Sequence, residues 1–343
     1  MALPDGLHHI FYETGIPPDV EHCIEKIYQS SFCVIKYFEL FQDYCSLNAL
    51  VISRGTSDPI HAIVYAVSGK EINVLNELVE IEHEYVQYFA DAVFNRYPAI
   101  TTLNFNRLKS RIVNLHYPWR CWKTSQDIAI PLPPSFDIYH SQLGKQTQKH
   151  IKYYINRLHR EYSNVAFHVA AAHETDASVI GRIINMNRLR MKDKNIRSGF
   201  DNVFEERIAE FCRYYGLVGT MSLGDKIVAG TICYEVGSQV YLEAISHDPD
   251  YNKYNVGQVC LYLTVKHMIE RGAASFHMLW GENEYKYRFL GVKENLYFIS
   301  IYRSYSSKLR SIPKLAQHTC SYIFRQLDYL TTKYIINRYR QKC

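Results

Sequence analysis

The fold is decided by the residues from Gly216 to Gly291, which read GLVGTMSLGDKIVAGTICYEVGSQVYLEAISHDPDYNKYNVGQVCLYLTVKHMIERGAASFHMLWGENEYKYRFLG. Two apolar runs, Leu217 to Leu223 and Ile227 to Val236, are joined by Gly224-Asp225-Lys226. A Gly-Asp pair accepts the positive φ of a tight hairpin turn. A third run, Val240 to His247, follows closely. These residues predict three antiparallel strands in sequence order.

After these strands the spacing of the apolar residues becomes that of a helix. The segment from Pro249 to Gln258 is polar and predicts a loop, and apolar residues then recur at helical spacing from Leu261 to Ile269. The pair Arg271-Gly272 predicts the end of this helix. The run from Ala274 to Trp280 predicts a further strand.

Two motifs in this region resemble those of a known superfamily. The first reads Asp248-Pro249-x-Tyr251-x-x-Tyr254-x-x-Gly257, and the second reads Phe276-x-x-Leu279-x-Gly281-Glu282-x-x-Tyr285-Lys286-x-Arg288-Phe289. The motifs and the order of elements resemble the GNAT acyltransferases, and within them the CelD-type, FemAB-like branch. That resemblance implies an α/β (α+β) fold with tandem GNAT-like halves, mixed and mostly antiparallel central sheets, and a C-terminal helical tail.

The sequence departs from the superfamily pattern at two places. Tyr254, Gly257 and Val259 stand where general GNAT enzymes carry Gln or Arg, then Gly, then Gly or Ala. The branch places an acidic residue after the Phe276 position, where this chain has His277. The first departure concerns the binding of a CoA pyrophosphate, and the second concerns any role of that acidic residue.

Length and pattern together predict four segments. Residues 1–138 form a degenerate GNAT-like first half, with strands from Leu47 and Ile60 and a helix that ends before Pro98. Residues 139–163 form a connecting helix that is basic and amphipathic, residues 164–305 form the catalytic half, and residues 306–343 form a basic helical tail. The alternative for the first half is a plain scaffold that binds nothing.

Composition excludes several classes of protein. The apolar share of 47% and the charged share of 21% are typical of globular proteins. The nine cysteines are scattered without a Cys-x-x-Cys pair, so neither a metal site nor a disulfide framework is expected, and a reducing cytoplasm is the predicted compartment. No apolar run approaches the ~20 residues that a membrane helix needs.

The predicted tail has a larger net positive charge than the whole chain. Residues 303–343 contain nine Lys or Arg and a single acidic residue, against a net charge of +5 for the whole chain. Thr319 to Arg338 show helical apolar spacing with a cationic opposite face. Such a helix could lie on an anionic membrane surface, which would make the protein peripheral to the inner membrane. Alternatively, its apolar face docks on the second half.

The resemblance also implies where the donor binds. The segment Tyr254, Asn255, Val256, Gly257 and Gln258 opens the predicted helix, and N–H groups at a helix N-terminus bind phosphates. A backbone N–H within Glu243 to Ser246 would stabilise the oxyanion, which brings Ile245 and Ser246 into the donor site. The expected co-substrate is acetyl-CoA or another acyl-CoA, without a metal.

Candidate catalytic residues lie on the third strand and after the last one. Strict alternation puts Glu243 and His247 on one face, where either could take the proton of an amine. A phenol at Tyr285 could protonate the leaving thiolate, and an ammonium at Lys286 could hold an anionic acceptor. In the GNAT-like folds that the chain resembles, the polar connector after the first helix of this half borders the acceptor site. The resemblance therefore implies further candidates for contacting an anionic acceptor, namely Arg188, Arg190, Lys192 and Arg197. For each residue, a structural or solvated role is the alternative.

The resemblance therefore implies an N-acyltransferase that moves an acyl group from acyl-CoA to an amino group. The acceptor would be a sugar or a cell-envelope or exopolysaccharide precursor, either a small molecule or one linked to a lipid or a nucleotide. Two alternatives stay open: an aminoacyl-tRNA-dependent FemAB-like transferase, whose basic surfaces would bind tRNA, and a catalytically decayed scaffold of a polysaccharide-synthesis complex. DNA is not an expected partner.

Overall fold

The computed structural model describes residues 6–13, 15–42, 47–55, 59–193, 195 and 198–311. The predicted tail helix from Thr319 to Arg338 and the candidate Arg197 lie outside these residues. Within them, none of the helices combines the length and the apolar character that crossing a bilayer requires.

Twelve strands and ten α-helices make up the described chain. The strands are β1 (Leu7–Tyr12), β2 (Asn48–Arg54), β3 (Pro59–Ser68), β4 (Glu71–Val74), β5 (Thr102–Leu108), β6 (Trp119–Pro131), β7 (Val165–Ala171), β8 (Gly216–Leu223), β9 (Lys226–Val236), β10 (Gln239–His247), β11 (Ser275–His277) and β12 (Val292–Tyr302). The helices are α1 (Pro18–Tyr28), α2 (Ile35–Phe41), α3 (His83–Arg96), α4 (Phe136–Gln142), α5 (Lys145–Glu161), α6 (Ala177–Asp193), α7 (Asn202–Tyr215), α8 (Val256–Glu270), α9 (Glu284–Arg288) and α10 (Tyr305–Arg310).

The same succession of elements occurs twice. The first half runs β1-α1-α2-β2-β3-β4-α3-β5-β6, and the second half runs β7-α6-α7-β8-β9-β10-α8-β11-α9-β12. Each half has one parallel strand pair, β4 with β5 and β10 with β11, and each pair is connected by a helix. Helices α4 and α5 join the halves. The fold is a tandem of GNAT-like halves, as the sequence predicts.

All strands form a single sheet, in which the last strands of the two halves are exchanged. The order is β1-β2-β3-β4-β5-β12-β6-β11-β10-β9-β8-β7. Strand β12, the last of the second half, pairs with β5 and β6 of the first half, while β6 pairs with β11 of the second. The sequence predicts separate sheets, because strand periodicity carries no information about which distant strand is the partner.

Helices cover both faces of the second half. Helices α6 and α7 pack on one face, with a core that includes Ile183, Phe211 and Tyr241. Helix α8 packs on the opposite face with residues such as Val240 and Leu261. The first core also contains Phe32 and Leu78 of the first half, so the two halves share buried apolar surface beside β10.

Most of the local predictions for the second half are confirmed. The hairpin of β8 and β9 turns at Gly224, whose φ is +59°, and β10 and α8 follow where expected. The predicted loop contains a short 3-10 helix, Pro249–Tyr254. The strand expected from Ala274 to Trp280 is β11 and is shorter than expected, because after His277 the chain leaves β10 and Met278 donates its N–H to Ile128 O in β6 at 2.8 Å.

Replacing a buried residue of β12 tests how much the exchanged strand stabilises the protein. Ile301 is fully buried and faces Leu103 of β5 and Trp119 of β6. We expect Ile301→Ala to lower the free energy of unfolding by about 2–5 kcal/mol, since it removes buried methyl groups and leaves a cavity. Urea denaturation measures this change. The control Val292→Thr lies at the exposed start of β12 and should change stability by less than about 0.5 kcal/mol; equal effects of the two variants would contradict the prediction.

Candidate active site

A cleft opens in the second half where β10 and β11 separate. The two strands pair only from Gln239 to Tyr241 with Ser275 to His277, and β10 continues to His247 without β11 beside it. The space has a volume of about 680 Å³. Its wall includes Arg190, Ile245, His247, Asn255, Gly257, Gln258, Asn283 and Tyr285. The cleft therefore lies between the C-terminal end of α6 and the N-terminal end of α8.

Lys286 holds the chain that leaves β11 in place. Its ammonium donates to the carbonyl oxygens of Met278, Leu279 and Trp280 at 2.5, 3.0 and 2.6 Å. The side chain is almost fully buried, and burial lowers its pKa to about 8. An ammonium has three hydrogens, and all three are used here. This geometry indicates that Lys286 fixes one wall of the cleft. The sequence interpretation was that its ammonium would bind an anionic acceptor.

The N-terminus of α8 faces the cleft. Gln258 and Val259 donate their N–H groups to Asn255 O at 3.0 and 3.2 Å. The N–H groups of Val256 and Gly257 belong to the first turn, where a helix offers no acceptor. His247 lies over this turn: a Cβ added to Gly257 would come within 2.8 Å of Nδ1, and Nε2–H donates to Asn252 Oδ1 at 2.8 Å.

The predicted phosphate loop is only partly directed at the cleft. Asn255, Gly257 and Gln258 line it, as the sequence indicates. The side chain of Tyr254 turns to the other side and donates its hydroxyl to Glu161 Oε2 of α5 at 2.5 Å. Val256 is fully buried in the same apolar cluster as Tyr254. These two residues support the loop through packing, so only their backbone could meet a ligand.

A β-bulge changes the direction of the side chains on β10. Leu242 faces Cys233 and Ala244 faces Ile232, so Glu243 is an extra residue without a partner on β9. After the bulge, Ile245 and His247 line the cleft near α8. Glu243 is close to α7 instead: the pKa of Cys212 in that helix is raised by burial and, after burial, by the charge of Glu243. The expectation that Glu243 and His247 share a face is therefore wrong, because strict alternation does not hold across a bulge.

Glu243 lies on the α7 side of β10, next to the first half. Enough protein surrounds its carboxyl that burial raises its pKa to about 7, although the side chain keeps some solvent exposure. Among the described residues no hydrogen bond or ion pair is found for it. Burial, and then the charges of Glu77 and Glu243, also raise the pKa of Tyr37 in α2. The first half thus contributes residues to the surroundings of the candidate base.

The other predicted residues of β10 and α9 fall into two groups. Ile245 and Tyr285 line the cleft. Burial raises the pKa of Tyr285, which favours the neutral phenol, and the nearby charge of Arg190 opposes this shift. Ser246 is fully buried, and its hydroxyl has no hydrogen-bond partner among the described residues.

His277 forms a buried contact with the first half. Its Nδ1–H donates to Asp127 Oδ2 in β6 at 2.5 Å, and its ring stacks on Tyr241 with centroids 4.4 Å apart. Ser275 Oγ and Gln239 Oε1 lie 2.7 and 3.1 Å from Nε2. His277, which stands where the superfamily branch carries an acidic residue, thus links β11 to β6. Sequence reasoning missed its partner Asp127, because the two residues are 150 positions apart.

The equivalent position in the first half is closed. After β4 the chain remains beside β5, with Leu78 N–H donating to Arg107 O and Lys109 N–H to Val79 O, both at 2.9 Å. The amide of Asn76 bonds to both Val64 N–H and Ala62 O of β3. The N-cap of α3 is Glu82, whereas the first turn of α8 contains no acidic residue. Among the described residues, an opening with a helix N-terminus suited to an anion is therefore a feature of the second half.

Comparison with known proteins supports the assignment of the second half. Residues 145–287 match the family model described as an acetyltransferase (GNAT) domain. These residues form an acyltransferase domain of the GNAT type. No curated protein matches the chain. Within the described residues, no group of three or more His, Cys, Asp or Glu side chains could hold a metal ion.

Two solved structures are similar to most of this chain. FemX is 7% identical, with 84% of this chain and 96% of FemX covered and a TM-score of 0.64. A conserved protein of unknown function from Bacteroides thetaiotaomicron is 12% identical, with 86% of this chain and 100% of that chain covered and a TM-score of 0.56. At such identities the similarity shows the fold alone.

Substitution of Gly257 tests whether the first turn of α8 binds the donor. We expect Gly257→Val to weaken CoA binding at least about tenfold, because the new side chain blocks access to the backbone N–H groups. Isothermal titration calorimetry measures the affinity. The Cβ would also displace His247, so the same substitution is made in a His247→Ala background. The double variant is compared with His247→Ala alone; if the two bind CoA equally, the clash with His247 and not the loss of access explains the effect.

The pKa of Glu243 predicts a pH-dependent difference in stability. Its carboxyl ordinarily titrates at 4.5 but at about 7 in the folded protein. Between these values the folded state binds more protons than the unfolded state, so the stability contributed by this group falls as the pH rises. We expect the wild type to lose stability relative to Glu243→Gln over this range, by at most about 1.4 kcal/mol per pH unit.

Urea denaturation at several pH values from about 5 to about 8 measures this difference. Glu270→Gln is the control, because the Glu270 side chain is 55% exposed. Parallel stability curves for the wild type and Glu243→Gln would show that the Glu243 carboxyl is solvated in the folded protein.

Proposed function

We propose that this protein is a FemAB-like, CelD-type N-acyltransferase. It transfers an acyl group, acetyl or another, from acyl-CoA to an amino group of a sugar or of a cell-envelope or exopolysaccharide precursor. The acyltransferase type rests on the GNAT domain. The donor, the acceptor and the site residues are part of the proposal.

The observation that carries the donor assignment is the opening of the sheet beside the N-terminus of α8. Asn255, Gly257 and Gln258, at the start of α8, line this cleft of about 680 Å³. The partial positive charge of the helix N-terminus favours a pyrophosphate, and no acidic residue in the first turn opposes it. At α3 in the first half, Glu82 and Glu84 would repel the same group.

The proposed reaction uses residues on both sides of β10. The amine nitrogen attacks the thioester carbon, and Glu243 takes the amine proton, since a pKa of about 7 suits a general base. Backbone N–H groups near the bulge stabilise the oxyanion. When the C–S bond breaks, Tyr285 gives its proton to the thiolate. His247, near α8 and across the strand from Glu243, contributes to binding the donor.

A second candidate donor is an aminoacyl-tRNA. A groove of about 520 Å³ at the start of α5 is lined by Lys145, Lys149 and Lys152, and such a basic groove could hold RNA phosphates. The catalytically decayed scaffold is the remaining alternative. Peripheral association with an anionic inner membrane through the tail stays a proposal, because residues 312–343 are outside the described part of the chain.

Calorimetry with acetyl-CoA and with aminoacyl-tRNA distinguishes these candidates. We expect acetyl-CoA to bind to the wild type and to Glu243→Gln with equal affinity. With a panel of amino sugars as acceptors of the acetyl group, Glu243→Gln should release CoA at least about 10²-fold more slowly than the wild type. Ellman's reagent detects the released thiol. The alternative predicts tRNA binding whose log affinity falls steeply with log salt concentration. If the protein binds neither donor, the catalytically decayed scaffold is the alternative that remains.

A further inference from the structure

Arg190 is a partly buried arginine whose hydrogen bonds are incomplete. It lies in the last turn of α6, and its guanidinium lines the cleft beside Tyr285. Nη2–H donates to Ile245 O at 3.4 Å. Nε is buried and has no hydrogen-bond partner among the described residues. A guanidinium offers five N–H donors, so most of its donors are available to a ligand.

Arg188 of the same helix turn shows how an arginine with only a structural role is held here. Its Nε–H donates to Phe200 O at 2.8 Å, its Nη2–H to Asn202 Oδ1 at 3.2 Å, and its Nη1 pairs with Glu205 Oε2 at 2.7 Å. In the described part of the chain Arg190 has no such carboxylate, and burial lowers its pKa. A buried N–H without a partner destabilises the folded protein, and an anion that reached it from the cleft would remove this cost.

The position of Arg190 along the cleft indicates which part of the substrate it meets. Ile245, its backbone partner, is two residues after the bulge at Glu243 and two residues before His247, which lies over the first turn of α8. Two residues of a strand span about 6.6 Å. The guanidinium is therefore nearer to the proposed reaction centre than the phosphate-binding turn is.

We infer that Arg190 binds an oxyanion, a carboxylate or a phosphate, that the substrate carries close to the reacting groups. The planar fork of arginine matches both anions through two parallel hydrogen bonds. The anion belongs either to the transferred acyl group or to the acceptor beside its amine. This inference rests on the proposed acyl transfer and makes an anionic substrate, rather than a neutral one, the preferred class.

Pairs of probes that differ by one anionic group test the inference and separate the two sources. For the acyl group, succinyl-CoA is compared with acetyl-CoA. For the acceptor, glucosamine 6-phosphate is compared with glucosamine, both with and without saturating CoA. Calorimetry is carried out on the wild type, on Arg190→Gln, and on Arg182→Gln, a control in an exposed position of the same helix that lines a different pocket.

We expect the wild type and Arg182→Gln to bind one of the anionic probes ~10- to 100-fold more tightly than its neutral counterpart, as charge-assisted hydrogen bonds of about 1.5–3 kcal/mol imply. Arg190→Gln should lose this preference but bind CoA as the wild type does. If Arg190→Gln does not fold, Arg190→Lys is used instead, because it keeps the charge but loses the fork.

An unchanged preference in the Arg190 variant, or no preference for either anionic probe in the wild type, overturns the inference. Failure of the wild type to bind CoA is a different result. It would contradict the proposed donor, while the arm without CoA would still report on the anion.

Discussion

The structure depends on the position of β12 between β5 and β6. This strand belongs to the second half by sequence, yet it forms hydrogen bonds along two strands of the first half. Strand β6 in turn pairs with β11, and the buried contact between Asp127 and His277 lies across that pair. Because each half supplies a strand that the other half needs, neither can complete its part of the sheet alone. The shared core next to Glu243 follows from this arrangement.

The two halves have the same order of elements, but in the described part of the chain the open site is found in the second half. In the second half, Met278 is drawn to β6 and Lys286 holds three successive carbonyl groups, so the chain stays away from β10. In the first half, the equivalent strands stay joined through Leu78 and Arg107, and both residues take a left-handed conformation, with φ of 57° and 48°. The exposed carboxylate of Glu82 makes its helix N-terminus unsuitable for an anion. The first half instead provides surroundings for Glu243.

The sequence was sufficient for features that depend on local patterns. Alternating and helical spacing located the hairpin and α8, and the Gly-Asp turn occurs where expected. It was insufficient where a single residue or a distant partner decides the geometry. One extra residue at Glu243 reversed the direction in which the following side chains point. Tyr254, inside the expected phosphate loop, donates its hydroxyl to a carboxylate of α5 and so points away from the cleft. The partner of His277 could not be predicted either, because Asp127 is far away in the chain. Residue type alone therefore suggested Glu243 and Tyr285 as candidates, but it could not predict how they are arranged.

The exchange of strands also has a consequence for the order in which the protein folds as it is synthesised. Strands β5 and β6 leave the ribosome long before β12, which ends at Tyr302. Until then the space between them is empty, and both present unpaired edges that can associate with other chains. Contacts over such sequence distances slow folding, since loop closure must precede them. The nascent first half is thus the stage at which a chaperone would be most needed, and a ribosome that stops before residue 302 would leave a chain unable to close its sheet.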